Sequence, residues 1–299
     1  MDRDDQGAFV LKPGELARIQ SIAYERSGID LRKGKDQMIA MRIGKHIRSS
    51  GLNSVRELLS LLEQDRTGAV LMNMIDALTT NHTHFMREPE HFEFLRKTVF
   101  PWMLNQGGLR IWCAASSTGE EPYTILFHLI EHRSGSGPIS PMLLQEIEIL
   151  ATDISDRVIL QAKRAVYPED RLNGLPPGWL QRYFRRGEGK WAGHYQVKPA
   201  FVSRVRYQKF NLMDAVPASW RFPAIFCRNV MIYFDRPTQA NVVCKMANAL
   251  EPGGYLFVGH SESLNGIDHP LTYVRPAVYR KPDGSEPTPR MSGSQENSR

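Results

Sequence analysis

At 299 residues the chain is too long for one small core and suits two domains, or one domain with a sizeable appendage. Its composition, 41% hydrophobic and 23% charged, is that of an ordinary globular protein, and no apolar run approaches the ~20 residues of a membrane helix, so a soluble protein is expected. A formal charge of +6 favours an acidic partner, nucleic acid or otherwise, but says nothing of the fold. The first nine residues are polar and acidic and lack the apolar core of a secretion signal, so the expected compartment is the cytoplasm. Cys113, Cys227 and Cys244 form no CxxC pair, and two of them sit in apolar runs where cysteine acts as a small hydrophobe, so no disulfide framework is expected.

Residues 12–78 read as helices only, with Ile39, Ile43 and Ile47 spaced by four and a second stripe of Val55, Leu58, Leu59 and Leu62. At about 100° per residue, Arg42, Lys45 and Arg48 line the side opposite the isoleucines, with Met38 and Met41 beside them. A solvated face explains three cations. Two methionines among them point to a surface able to pack against another helix. Residues 79–90 are polar, and 91–104 read as a helix with Phe92, Phe94 and Leu95 as apolar contacts.

From residue 109 short β-rich runs alternate with helical ones. Strands are expected at 109–115, 147–152, 205–212, 223–230 and 255–260, and helices at 123–132, 157–167 and 238–250. Such alternation implies a parallel sheet covered by helices on both faces. The run 273–280 follows without room for a crossover helix and should pair antiparallel as a terminal hairpin. Residues 183–202, with Gly187, Gly189 and Gly193, predict a small inserted β-hairpin, and residues 282–299 a disordered tail.

In an open α/β sheet, ligands bind beyond the carboxyl ends of the strands. After the first strand come Ser116, Ser117, Thr118 and Gly119, then Glu120, Glu121 and Pro122 opening a helix. Pro122 suits the first helical position, which leaves Glu121 just before the helix with its carboxylate free for ligand hydroxyls. The second strand ends in Asp153, an acid able to hold a ribose diol, although a helix cap is the commoner role for such a residue. The third ends in Asn211 and Leu212, and the fourth in Arg228 and Asn229 with Tyr233 close behind. These offer edge hydrogen bonds and a flat apolar face for an adenine ring. Four such tips on one rim favour a nucleoside site over four independent caps and turns. A nucleoside site together with a terminal antiparallel hairpin favours a methyltransferase over a dehydrogenase.

At these residues the chain resembles the CheR family of chemotaxis-receptor methyltransferases. The resemblance is carried, in the family's order, by LTTNHTHFMRE (78–88), STGEEPY (117–123), TDI (152–154), FNLM (210–213), FCRNVMIYFD (226–235) and GHSES (259–263). It implies a class I S-adenosylmethionine-dependent methyltransferase: an α/β, Rossmann-like, mostly parallel sheet with a terminal antiparallel hairpin, an N-terminal all-α domain and an inserted β-hairpin subdomain. The division is then a receptor-docking helical domain at 10–78, a linker at 79–90 that contributes to the cofactor site, a catalytic domain at 91–281 carrying the insert at 183–202, and the tail at 282–299.

The resemblance further implies that Asn81, Thr83 and Arg87 line the cofactor pocket, that Glu121 and Asp153 take the ribose or amino-acid portions, that Asn211 and Leu212 flank the adenine, and that Arg228 and Asn229 close the pocket. Arg87 and Tyr233 would face the methyl group and an incoming glutamate side chain as the catalytic pair. The cofactor would be S-adenosylmethionine, the by-product S-adenosylhomocysteine and the product a glutamyl methyl ester. Arg42, Lys45 and Arg48 would dock on the cytoplasmic helical region of chemoreceptors, and the inserted hairpin on a receptor C-terminal peptide. The expected protein is a monomer that binds neither nucleic acid nor a metal. His82 and His84 stand where the family often has apolar residues.

Two rivals differ in class. His128, Glu131 and His132 spell the H-x-x-E-H pattern of zinc peptidases, but no downstream third ligand is evident. A binding module that keeps the pocket only as a sensor is opposed by intact Arg87 and Tyr233.

Overall fold

Ile39, Ile43 and Ile47 are all buried in the computed structural model, which describes residues 11–31, 36–79, 83–135 and 137–284. They lie on α2 (Asp36–Ser49), which packs with α1 (Pro13–Ser27), α3 (Val55–Gln64) and α4 (Ala69–Leu78). Helix α1 ends at Gly28 with φ 71°, a left-handed backbone closed by its N–H on the Tyr24 carbonyl. A Cβ there would come within 2.4 Å of Met213 Sδ, so glycine also permits close approach of the segment carrying Met213.

After the polar stretch, α5 (Pro89–Phe94) and α6 (Phe100–Asn105) are joined through a wide π turn at Leu95–Val99. Pro101 has no N–H to give to the carbonyl four residues back, and the N–H of Phe100 reaches Leu95 O instead. The alternating region then runs β1 (Leu109–Ala114), α7 (Glu120–Ser134), α8 (Pro141–Glu146), β2 (Ile147–Asp153), α9 (Asp156–Arg164), β3 (Val166–Pro168), α10 (Trp179–Tyr183), β4 (Phe184–Arg186), β5 (His194–Val197), α11 (Pro199–Val202), β6 (Val205–Lys209), β7 (Phe222–Cys227), α12 (Arg236–Ala249), β8 (Leu250–Phe257), β9 (Thr272–Arg275) and β10 (Val278–Arg280).

The main sheet has the order β6-β2-β1-β7-β8-β10-β9, with the first five strands parallel and β10 antiparallel to both neighbours. The expected mostly parallel sheet with an antiparallel end is therefore present. The run 273–280 is two strands, because Ala277 takes φ 62° and turns the chain. The inserted element is a three-stranded sheet of order β3-β5-β4, not a hairpin alone. Its additional strand comes from the segment expected to finish the second helix, since Ala165 at φ 51° stops α9 early.

Side chains alternate across the central strands. Ile111 and Cys113 enter one buried cluster with α7 and the small sheet, whereas Trp112 and Ala114 enter the other with α12. That second cluster continues without a break into Ile19, Ile39, Leu58 and Met74 of the N-terminal helices. Residues 285–299, most of the expected tail, lie outside the described residues.

Candidate functional site

The carboxyl ends of β1, β2, β6 and β7 surround a cavity of about 280 Å³. Its floor is the loop after β1. Ala115 at φ 64° and Ser117 at φ 50° hold left-handed backbone that L-residues adopt only under strain, of order 1–3 kcal/mol each. Gly119 at φ 99° follows, where a Cβ would meet the hydroxyls of Tyr207 and Tyr167 at 2.7 and 2.9 Å. Helix α7 therefore starts at Glu120, two residues ahead of the expected Pro122, which falls third in the first turn, where no N–H is needed. The hydroxyl oxygens of Ser116 and Ser117 are buried without a hydrogen-bond partner although both residues line the cavity. Buried hydroxyls are rarely left idle, so these fit a polar ligand lying against this loop.

Glu121 is not free as expected. Its Oε2 accepts from Arg228 Nη1 at 2.7 Å, and the carboxyl still opens on the cavity. Burial raises its pKa against the pull of Arg228. Asp153 lines the opposite wall, where its Oδ2 accepts from Ser117 N–H at 2.9 Å and its Oδ1 from Ser155 N–H at 3.0 Å. Burial raises its pKa too, with these N–H bonds opposing. One carboxylate thus braces two strand tips. Asn211 and Leu212 sit in the turn after β6 and line the cavity, but the amide of Asn211 donates to Arg26 O at 2.8 Å and accepts from Met213 N–H.

Arg228 is buried at the centre of the far wall. It holds Glu121, Glu88 Oε2 at 2.9 Å and the carbonyl of Arg87 at 2.6 Å. The two carboxylates on this one guanidinium titrate in opposite directions. Burial alone would raise Glu88, but the charge and hydrogen bonds of Arg228, aided by donors from Asn229 and His260, bring it down to about 2. Glu121 has only the Arg228 donor to oppose burial, and the neighbouring Glu88 carboxylate adds to the rise, so burial wins there. Asn229 takes φ 58°, and its N–H, with those of Gly259 and Ile232, is held by the buried carboxylate of Glu262 at 2.8, 2.6 and 3.2 Å. Tyr233 and Arg87 line the same cavity, as do Thr83 and His84. The Thr83 carbonyl accepts from Arg171, and His84 Nδ1 lies 2.9 Å from Phe85 O. Asn81 and His82 lie outside the described residues.

The sequence did not reveal the wall given by the N-terminal helices: Ser27, Ile29, Ile75, Asp76 and Thr79. Asp76 was the available signal, an acid in the apolar run of α4; it accepts from Ser155 Oγ at 2.9 Å and Arg157 Nε at 2.8 Å. Asp30 N–H meets the Tyr233 carbonyl at 2.7 Å, and Tyr24 OH meets Asp235 at 2.8 Å. Also unforeseen is a cluster of Glu88, His91 and His260 behind Arg228. Burial, then Arg228, lowers the pKa of His91 to about 3.

Outside the cavity, Lys45 and Arg48 are exposed on α2 and Met41 is 64% exposed, but Arg42 is half-buried and donates to the carbonyl of Leu78. The basic stripe is therefore two outward cations and a third turned toward the end of α4. The H-x-x-E-H residues do not converge. His128 stacks on Phe92 with ring centroids 5.2 Å apart, and Glu131 accepts from Arg182 and from Tyr183 OH.

Residues 81–279 match the model of the CheR methyltransferase SAM-binding domain, and residues 14–79 that of the CheR methyltransferase all-alpha domain. The chain is 37% identical over 274 residues to a chemotaxis protein methyltransferase of Borreliella burgdorferi, covering 89% of this chain and 94% of that protein. It is 36% identical over 274 residues to that of Escherichia coli, covering 91% and 92%, and 38% identical over 249 residues to one of Pseudomonas putida, covering 81% and 88%.

Proposed function

The chain belongs to the CheR methyltransferase family and binds S-adenosylmethionine, and from that premise we propose that it methylates glutamate carboxylates of chemoreceptors, forming glutamyl methyl esters in chemotaxis adaptation. The observation that carries the reading is a single cavity onto which Glu121, Asp153, Arg87 and Tyr233 all open, with idle hydroxyls on Ser116 and Ser117.

When bound, S-adenosylmethionine supplies an electrophilic methyl on a sulfonium. Thr83, Arg87, Glu121, Asp153, Asn211, Leu212, Arg228 and Asn229 would hold it, with Asn81 assigned by family resemblance alone. Asp153 and Glu121 suit the hydroxyl and ammonium groups, and Leu212 suits a flat ring. A substrate glutamate, with a reference pKa of about 4.3, is already ionised near neutral pH, so no residue need act as base. Transfer of that methyl to a substrate carboxylate oxygen would break the C–S bond and leave the electron pair on sulfur as a neutral thioether. What the chain must do is orient that oxygen in line and exclude water, effects that can reach roughly 7–11 kcal/mol at best. Arg87 and Tyr233 are assigned that positioning.

The reading divides the chain into a docking part at 10–78, a linking part at 79–90 and a catalytic part at 91–281. Lys45, Arg48 and the exposed Met41 would meet acidic receptor helices, and the small sheet around 183–202 would take a receptor C-terminal peptide by strand addition. Among the described residues no helix is long and apolar enough to cross a membrane. Incubation with methyl-labelled cofactor and receptor cytoplasmic domains should give label that base releases as methanol. Base-stable label, or none, would overturn glutamate esterification.

A further inference from the structure

Neither His260 of GHSES nor His91, just past the FMRE run, has a role in the chemistry above, yet the fold brings both to Glu88. Glu88, His91 and His260 each offer a ligand atom, all within 4.8 Å of one another. His91 is 1% exposed, and neither of its ring nitrogens has a hydrogen-bond partner. A buried imidazole with both nitrogens idle carries a desolvation cost that a ligand would relieve. Its Nδ1 lies 3.4 Å from Glu88 Oε2. Two ligand atoms at ~2.0–2.1 Å from a tetrahedral zinc ion stand roughly 3.3 Å apart, so this edge already has the required spacing. His260 is exposed, with its ring centroid 4.7 Å from that of His91, and can turn to supply the third corner.

We propose that Glu88, His91 and His260 form a site for a borderline divalent transition-metal ion such as zinc, and that filling it weakens the cofactor site. Two imidazoles and one carboxylate select zinc, copper or cobalt over magnesium or calcium, and leave a fourth position for water. Glu88 and Glu121 face Arg228 as two carboxylates against one guanidinium, which lessens its repulsion of the ion without removing it. The ion would share Glu88 Oε2 with Arg228 Nη2, now 2.9 Å away, and repel the guanidinium. Arg228 also fixes Glu121 and the Arg87 carbonyl, so its displacement reaches the cavity wall directly.

The experiment uses the metal-stripped full chain titrated with zinc in a calorimeter, and with cobalt for its tetrahedral absorption bands. One ion per chain is expected, with magnesium unable to compete. His260→Ala, an exposed substitution, should weaken zinc by about tenfold or more, as loss of a ligand-shell group does. Zinc should also lower affinity for S-adenosylhomocysteine in the unsubstituted chain but not in His260→Ala, a readout independent of methyl transfer to any receptor. Absence of stoichiometric zinc binding, undiminished binding in His260→Ala, or cofactor affinity indifferent to zinc would overturn the proposal.

Discussion

Replacing Arg228 with Met removes a cation that is 5% exposed and holds two carboxylates and a carbonyl. Truncating one partner of a buried ion pair costs about 3–5 kcal/mol, because the remaining charge is left unpaired. The lowered pKa of Glu88 expresses the same ion pair on another scale. Holding it at about 2 against an ordinary 4.5 is worth about 3 kcal/mol, at roughly 1.4 kcal/mol per decade of pH. The two agree. For a chain of this size about 2 °C is lost per kcal/mol, so Tm at neutral pH should fall by roughly 6–10 °C, followed by thermal unfolding. The sign with pH is fixed as well. A depressed folded pKa stabilises above the unfolded value of 4.5 and that contribution vanishes as pH falls toward 2, so the gap between the two proteins should narrow over that window. A Tm within about 2 °C of the unsubstituted protein at neutral pH, or a gap that widens in acid, would refute the reasoning.

Splitting the basic stripe should separate two effects. Lys45→Glu with Arg48→Glu is expected to slow receptor methylation and leave S-adenosylhomocysteine calorimetry unchanged, whereas Arg42→Glu should weaken the cofactor as well, since Arg42 holds the Leu78 carbonyl beside the cavity. Equal cofactor affinity in both variants would return Arg42 to the docking surface. Asp153→Ala should weaken the cofactor sharply and also cost about 1–3 kcal/mol in denaturant unfolding, because the N–H groups of Ser117 and Ser155 lose their acceptor. Wild-type calorimetry would sink its assignment. Tyr233→Phe should bind cofactor normally and turn over more slowly; equal turnover makes the hydroxyl incidental. Glu262→Gln leaves one side-chain oxygen to serve three backbone donors and should weaken S-adenosylhomocysteine binding through Asn229, and wild-type affinity would remove Glu262 from the positioning of Asn229.

The sheet was legible because its central strands are buried on both faces and read as apolar runs, and the rim because small and polar residues follow each of them. What escaped were relations over long separations. Gly28 against Met213, or Asp30 against Tyr233, joins points that no local pattern connects. A helical wheel fixes the angle of Arg42 but not the neighbour it meets, so three cations on one stripe looked equivalent when one is turned inward. Glu121 was placed correctly on the rim, yet its pairing with Arg228 depends on two strand tips converging. The third strand of the small sheet was hidden because residues 166–168 extend an apolar helical pattern, and only the backbone of Ala165 breaks it.

The cavity draws one wall from Ser27, Ile29, Ile75 and Asp76, and the apolar cluster behind that wall runs unbroken from the first helices to the sheet. Recombination between relatives is thereby restricted. On the proposed division, a helical half transplanted from another family member would bring its own piece of the cavity wall and its own partner for Met213, so receptor choice could not be exchanged as a cassette without retuning the cavity. On the same reading, new specificity would be more accessible through the outward positions of α2, such as Lys45 and Arg48, which are exposed and do not line the cavity.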